Sequence, residues 1–278
     1  MTAIAPAATL PRRSPLAAAS PLATLARRRF QLTTRTPREL FVPLITPILF
    51  ALVIAPALKD ALHTGTAYES FVATGTIGLL IPLNTMFSGL SVIVDREAGA
   101  QRELLAAPVP RPLLVLGNLA VALAVTAFQV IALIAVAVAR GIDFHAGATG
   151  ILWFAAAATL FTVGMYGVAE TLAGRVPKAE EYIARVPAIA IVPWFLAGSL
   201  FPIKALPAFL EWFARFLPLT HALALVRYGL VGDSTGLHNI WQIGNTTAMA
   251  ALSLVVVAAF ALTLTAISIR VFTRTALR

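Results

Sequence analysis

The sequence predicts an all-α polytopic membrane protein with six transmembrane helices and both termini on the inner side. Three observations carry this. Residues 40–58, 70–94, 112–139, 146–169, 186–203 and 240–269 are long intervals without Asp, Glu, Lys or Arg. A helix needs roughly 20 apolar residues to cross a hydrocarbon core about 30 Å thick, and backbone groups in lipid must pair within the segment. Hydrophobic residues make up 59% and charged residues 12% of the chain, about half the charge of a typical soluble domain. The cations are also lopsided. With the N-terminus inside, 16 of the 21 Lys and Arg residues fall in inner segments and only Lys59, Arg140, Lys204, Arg215 and Arg227 fall outside. That is the positive-inside bias, and it accounts for the net charge of +9 without nucleic acid as a partner.

The elements follow in order. Residues 1–21, rich in Ala and Pro, have no sustained apolar core of a signal peptide and are expected to be a disordered cytosolic tail. Residues 22–278 then form one membrane domain. In 22–39, Leu22, Leu25, Phe30 and Leu32 alternate with Arg27, Arg28, Arg29, Arg35 and Arg38, which reads as an interfacial helix on anionic headgroups or as a plain topogenic signal. The first span carries Pro43, Pro47 and Pro56, the second Pro82, and the fifth Pro187, Pro193 and Pro202. Each removes a backbone donor and can bend its helix, for gating or for ordinary packing.

The densest polar block between spans is an elbow at 95–107, with Asp95, Arg96, Glu97, Gln101, Arg102 and Glu103, closed by Pro108, Pro110 and Pro112. Pro112 suits a first helical position. The charges lack i,i+4 partners of opposite sign within the block, which leaves them for another protein or for solvent. A second inner segment, 170–185, offers Gly174 as a helix end, Pro177 as a helix start and the pair Glu181/Arg185. On the outer side, residues 204–230 hold Phe209, Trp212, Phe213 and Phe216 at i, i+3, i+4 and i+7, with Glu211 and Arg215 on the opposite face. This stretch is too short to span and suits the aromatic-rich interface.

The segment VDREAGAQRELLAAPVPRPLLVLGN, from Val94 to Asn118, resembles the signature loop of type-2 ATP-binding-cassette transporter permeases. Asp95, Glu97, Gly99, Glu103, Leu104, Leu105, Pro108 and Arg111 match its order of charges, Gly and Pro. Residues 197–227 resemble the same family through Gly198, Phe201, Pro202, Leu206, Pro207, Trp212, Pro218, Leu219, Thr220 and Arg227. The resemblance is closest to bacterial drug-exporter permeases. It implies a six-helix fold in the bacterial plasma membrane, a second permease as an identical or related partner, and separate ATP-binding subunits that carry ATP and Mg. It also implies an outer re-entrant hairpin at 204–230, where Phe209, Trp212, Phe213, Phe216 and Arg227 serve as gate or anchor. The ATPase contact falls on Asp95, Arg96, Glu97, Gln101, Arg102 and Glu103.

What the residues exclude agrees with this. A P-loop needs Gly-Lys-[Ser/Thr], but the three lysines follow Leu58, Pro177 and Ile203, so ATP is expected on another chain. No His-Glu-x-x-His or Gly-x-Ser-x-Gly occurs, and there is no cysteine, so no catalytic role or cofactor is expected here. None of the six uncharged intervals holds an ionisable group inside, which weighs against an ion-coupled carrier. Asn84, Thr85, Gln129 and Tyr166 remain as polar candidates for a pathway between protomers, or as ordinary interhelical hydrogen-bonders. The expected function is the permease of an ATP-driven exporter of amphiphilic, drug- or lipid-like cargo. The alternatives are a secondary carrier and a non-transporting scaffold.

Overall fold

The computed structural model describes residues 15–63, 66–106 and 109–275, and every regular element among them is helical. Helix α1 (Pro15–Arg35) begins inside the stretch expected to be a disordered tail, while residues 1–14 lie outside the described residues. The first span is composite. Helix α2 (Pro37–Leu49) runs into a π-helical turn over Phe50–Ile54 and then α3 (Ala55–Leu62). Pro43 and Pro47 each delete a donor from the ladder, and the wider turn follows three residues after Pro47.

Helix α4 (Thr66–Glu97) is the central post, burying Ile77, Leu79, Leu80, Ile81, Met86 and Ile93. After α5 (Ala100–Ala106) come α6 (Arg111–Ala139) and α7 (Ala148–Ala173). Helix α7 packs on α12 (Thr246–Thr275), with Gly164 and Gly167 pressed against Phe260 and Leu264. Small residues of this kind let membrane helices approach closely. The first span, α4, α6, α7 and α12 are each long and apolar enough to cross a membrane.

The fifth expected span differs in position. Helix α8 (Ala179–Leu196) starts seven residues before the expected 186 and ends seven before 203. Its first turns carry Glu180, Glu181 and Arg185, so this 18-residue helix holds more charge than a membrane span of its length usually does and is not one of those five. The boundary at 186 followed the last charge, whereas the backbone starts its helix at the loop's end. Beyond α8 the chain makes a turn, then α9 (Ala208–Ala214) and α10 (Pro218–Val231), bent by 76° from each other. Counted as one broken span, this pair brings the total to six. Helix α10 is buried nearly all round, and α11 (Thr235–Trp241) leads into α12. Trp194 of α8 locks onto the post: its indole N–H donates to the Gly75 carbonyl at 2.7 Å.

Candidate functional site

The elbow forms where α4 ends. The Ala98 amide bonds the Val94 carbonyl and the Gly99 amide bonds the Arg96 carbonyl. Gly99 takes φ +78°, a left-handed turn that a side chain would strain, and this redirects the chain into α5. At seven residues α5 is far too short to cross a bilayer.

The elbow charges are not all free, which corrects the expectation drawn from their lack of i,i+4 partners. Asp95 accepts a charge-assisted hydrogen bond from Arg29 Nη1 of α1 at 3.1 Å, with side chains 25% and 10% exposed. Arg29 therefore turns into the protein, while Arg27, Arg28 and Phe30 on the same helix stay exposed. Helix α1 is fixed further by Leu25, which packs against Gly117 of α6. Arg96 donates to the carbonyls of Ala173 (2.9 Å), Val176 (2.5 Å) and Pro177 (3.2 Å). It thus satisfies orphan acceptors at and just beyond the C-terminus of α7 and sits favourably on that helix dipole. Glu97 and Glu103 are exposed, Gln101 is half-buried, and the Arg102 side chain lies outside the described residues.

Two further bonds gather the loops at this end. Tyr182 of α8, fully buried, donates its hydroxyl to the Met86 carbonyl at 2.9 Å. Arg111 donates to the Thr273 carbonyl at 3.2 Å. We predict that Tyr182→Phe lowers stability by about 1 kcal/mol, because the ring still packs and only the hydroxyl is lost. Thermal unfolding of the purified chain checks this, and no change in melting temperature would mean the bond is not formed.

Of the two readings open for the polar candidates, pathway lining or ordinary hydrogen bonding within the bundle, the contacts in the structure are of the second kind. Asn84, Thr85, Gln129 and Tyr166 are each at most 2% exposed. Asn84 donates to Thr126 Oγ1, Thr85 to the Ile81 carbonyl, and Gln129 Nε2 to the Leu40 carbonyl. Asn84 and Gln129 thus tie α4 to α6 and α6 to the first span, while Thr85 bonds back within its own helix. Tyr166 donates to Glu170 Oε2 at 2.8 Å. Glu170 is itself buried inside α7, so the expectation of charge-free spans fails there. The apolar interval stopped at Glu170 only because it is charged, and the helix continues through it. The i,i+4 tyrosine was the available clue.

At the other end of the bundle, Phe209, Trp212 and Phe213 of α9 and Phe216 in the turn after it are 48–72% exposed, with Glu211 and Arg215 paired at 2.6 Å. Arg227, expected on the second helix of the hairpin as gate or anchor, lies buried in α10.

The comparisons with known proteins can be set beside this geometry. Residues 21–231 match the family model described as ABC-2 type transporter. The chain is 26% identical over 209 residues to a protein of Porphyra purpurea named "Putative transport permease ycf38", covering 73% of this chain and 72% of that protein. It is 27% identical over 176 residues to "Nodulation protein J" of Rhizobium leguminosarum bv. trifolii, covering 60% of this chain and 64% of that protein.

Proposed function

Since the chain belongs to the ABC-2 type transporter family, and is thus a multi-pass transmembrane permease of an ABC transporter that associates with ATP-binding subunits, we propose that it serves an exporter whose ATPase docks on the elbow. Exposed Glu97 and Glu103, flanking a turn whose neighbours Asp95 and Arg96 are fastened to α1 and α7, carry this reading. Such a surface takes a push and passes it on. ATP and Mg belong to the partner subunits, and two permease copies, identical or related, pack side by side in a bacterial plasma membrane. Cargo leaves between them.

With the core polar residues spent inside the chain, the apolar faces left for that route include Ile45, Leu49 and Val53 of the first span and Ile183, Val192 and Phe195 of α8. Such faces suit amphiphilic, drug- or lipid-like cargo better than a hydrated ion. Buried Glu170 removes the sequence argument against an ion-coupled carrier, but family membership now supplies a stronger one.

The test is charge reversal. In membranes holding the permease with its ATPase, the Glu97→Lys/Glu103→Lys double variant should lose roughly tenfold or more in nucleotide-dependent transport, because like-charge or mismatched contacts at an interface cost several kcal/mol. Both side chains are exposed, so expression and melting temperature should hold. Unchanged transport in the double variant would place the ATPase contact elsewhere.

A further inference from the structure

Far from the elbow lies a partly open cavity of about 160 Å³, lined by the start of α4, the turn after α8, α10 and α11. At roughly 30 Å³ per molecule it has room for about five waters. Arg227 reaches its wall with a side chain that is only 4% exposed. Nη2 donates to the carbonyls of Phe71 at 3.2 Å and Ser199 at 3.1 Å, and Nε reaches Thr74 Oγ1 at 3.4 Å. The guanidinium carbon sits 3.5 Å from the centroid of the Phe71 ring. Every one of these contacts is neutral. Among the described residues Arg227 forms no ion pair, and Nη1 makes no hydrogen bond. A buried cation is normally paired, because desolvation without a counter-charge is expensive, and here the attraction of Asp233 acts from beyond ion-pair distance.

Two further groups share the wall. Thr220 Oγ1 is buried and has no partner, although a helical threonine usually bonds a carbonyl of the preceding turn. Asp233 also lines the cavity, and its Oδ1 accepts the Thr235 amide at 2.8 Å. The cavity therefore has a cationic pole, an acidic pole and, just beneath its wall, an unpartnered hydroxyl. A simple anion is drawn to Arg227 and repelled by Asp233, and a simple cation meets the reverse. A ligand carrying both charges satisfies both walls.

We infer that this cavity binds a zwitterionic head, with an anionic phosphate or carboxylate oxygen on Arg227 Nη1 and the Thr220 hydroxyl, and a primary ammonium against Asp233. The exposed aromatics of α9, in the same bent helix pair, mark this end as a membrane interface, where lipid heads of this chemistry are at hand. The opening toward the outer side rests on the orientation proposed above, while the recognition chemistry does not.

Binding can be measured without any ATPase, so its failure leaves the transport reading intact. The full-length chain is placed in nanodiscs of phosphatidylglycerol and titrated with glycerophosphoethanolamine and, separately, glycerol 3-phosphate. The zwitterion should bind about tenfold tighter, the difference expected for one charge-assisted contact. Asp233→Asn should erase that preference, and Thr220→Val should weaken both probes a few-fold. Arg227→Gln should abolish binding, and since that variant risks misfolding, the half-exposed Asp233 is the deciding position. In a second arm, chain extracted from mixed vesicles is analysed for retained lipid. Preferential retention of phosphatidylethanolamine over phosphatidylcholine, whose quaternary head has no N–H to donate, identifies a membrane lipid as the source. Binding of the soluble probe alone identifies a free zwitterion. No binding by either route, or equal binding of both probes unaffected by Asp233→Asn, would show the cavity to be a hydrated pocket and overturn the inference.

Discussion

Gly229→Val is expected to prevent α10 from seating and to leave little folded protein. A Cβ at Gly229 would overlap the Gly150 carbonyl oxygen and the Phe154 amide, and a Cβ at Gly150 would overlap the Gly229 carbonyl oxygen. The two helices thus touch backbone to backbone, and no rotamer change can make room. Ordinary overpacking of a core costs about 1–3 kcal/mol by shifting side chains. Here main chain must move, and α10 is the helix that buries Leu219, Leu223, Val226 and Leu230 among α4, α7 and α12. A loss at or beyond the top of that range is expected. Size-exclusion profiles and melting curves in detergent provide the readout, with Gly244→Val as control, since nothing lies within 4 Å of a Cβ there. If the two variants melt alike, the close crossing is wrong.

A second large effect is expected at the joint between α1 and the elbow. Arg29→Ala and Asp95→Ala should each cost about 3 kcal/mol, the lower end for breaking a buried pair, since Asp95 keeps 25% of its side chain exposed. The double variant should cost well under the sum, giving a coupling energy of about 1–3 kcal/mol in a double-mutant cycle. Charge exchange, Arg29→Asp with Asp95→Arg, should recover part of the loss in both stability and nucleotide-dependent transport. Strictly additive single effects would mean that α1 is a passenger and not tied to the elbow.

The joint also shows what was legible beforehand. Charge spacing located the long helices because lipid penalises a charge wherever it falls, so the information is local. The aromatic repeat of α9 was legible for the same reason: residues at helical spacing define a face without reference to the rest of the chain, although the helix stops at Ala214 and leaves Phe216 in the turn beyond. The partners of Asp95 were not legible. Arg29 lies 66 residues away, and the Arg96 acceptors are backbone carbonyls some 80 residues on, which carry no mark in a sequence. Glu170 and Arg227 escaped through one assumption, that charge implies water. In both cases the protein supplies neighbouring polar groups in its place, Tyr166 for Glu170 and carbonyls plus a ring for Arg227.

The grip of Arg96 on three carbonyls around the end of α7 has a dynamic meaning. One planar fork spans that whole turn, a geometry that a lysine point charge does not reproduce. With the loop clamped in this way, there is no slack between the second and fourth crossings for a stroke to be lost in. Under the proposed docking, a displacement at the elbow would travel as a tilt of whole rods, on the microsecond-to-millisecond clock of rigid-body rearrangements and not the nanosecond clock of a flapping loop. With the ATPase docked on the elbow as proposed, loosening that single guanidinium is expected to leave ATP hydrolysis running while the levers idle.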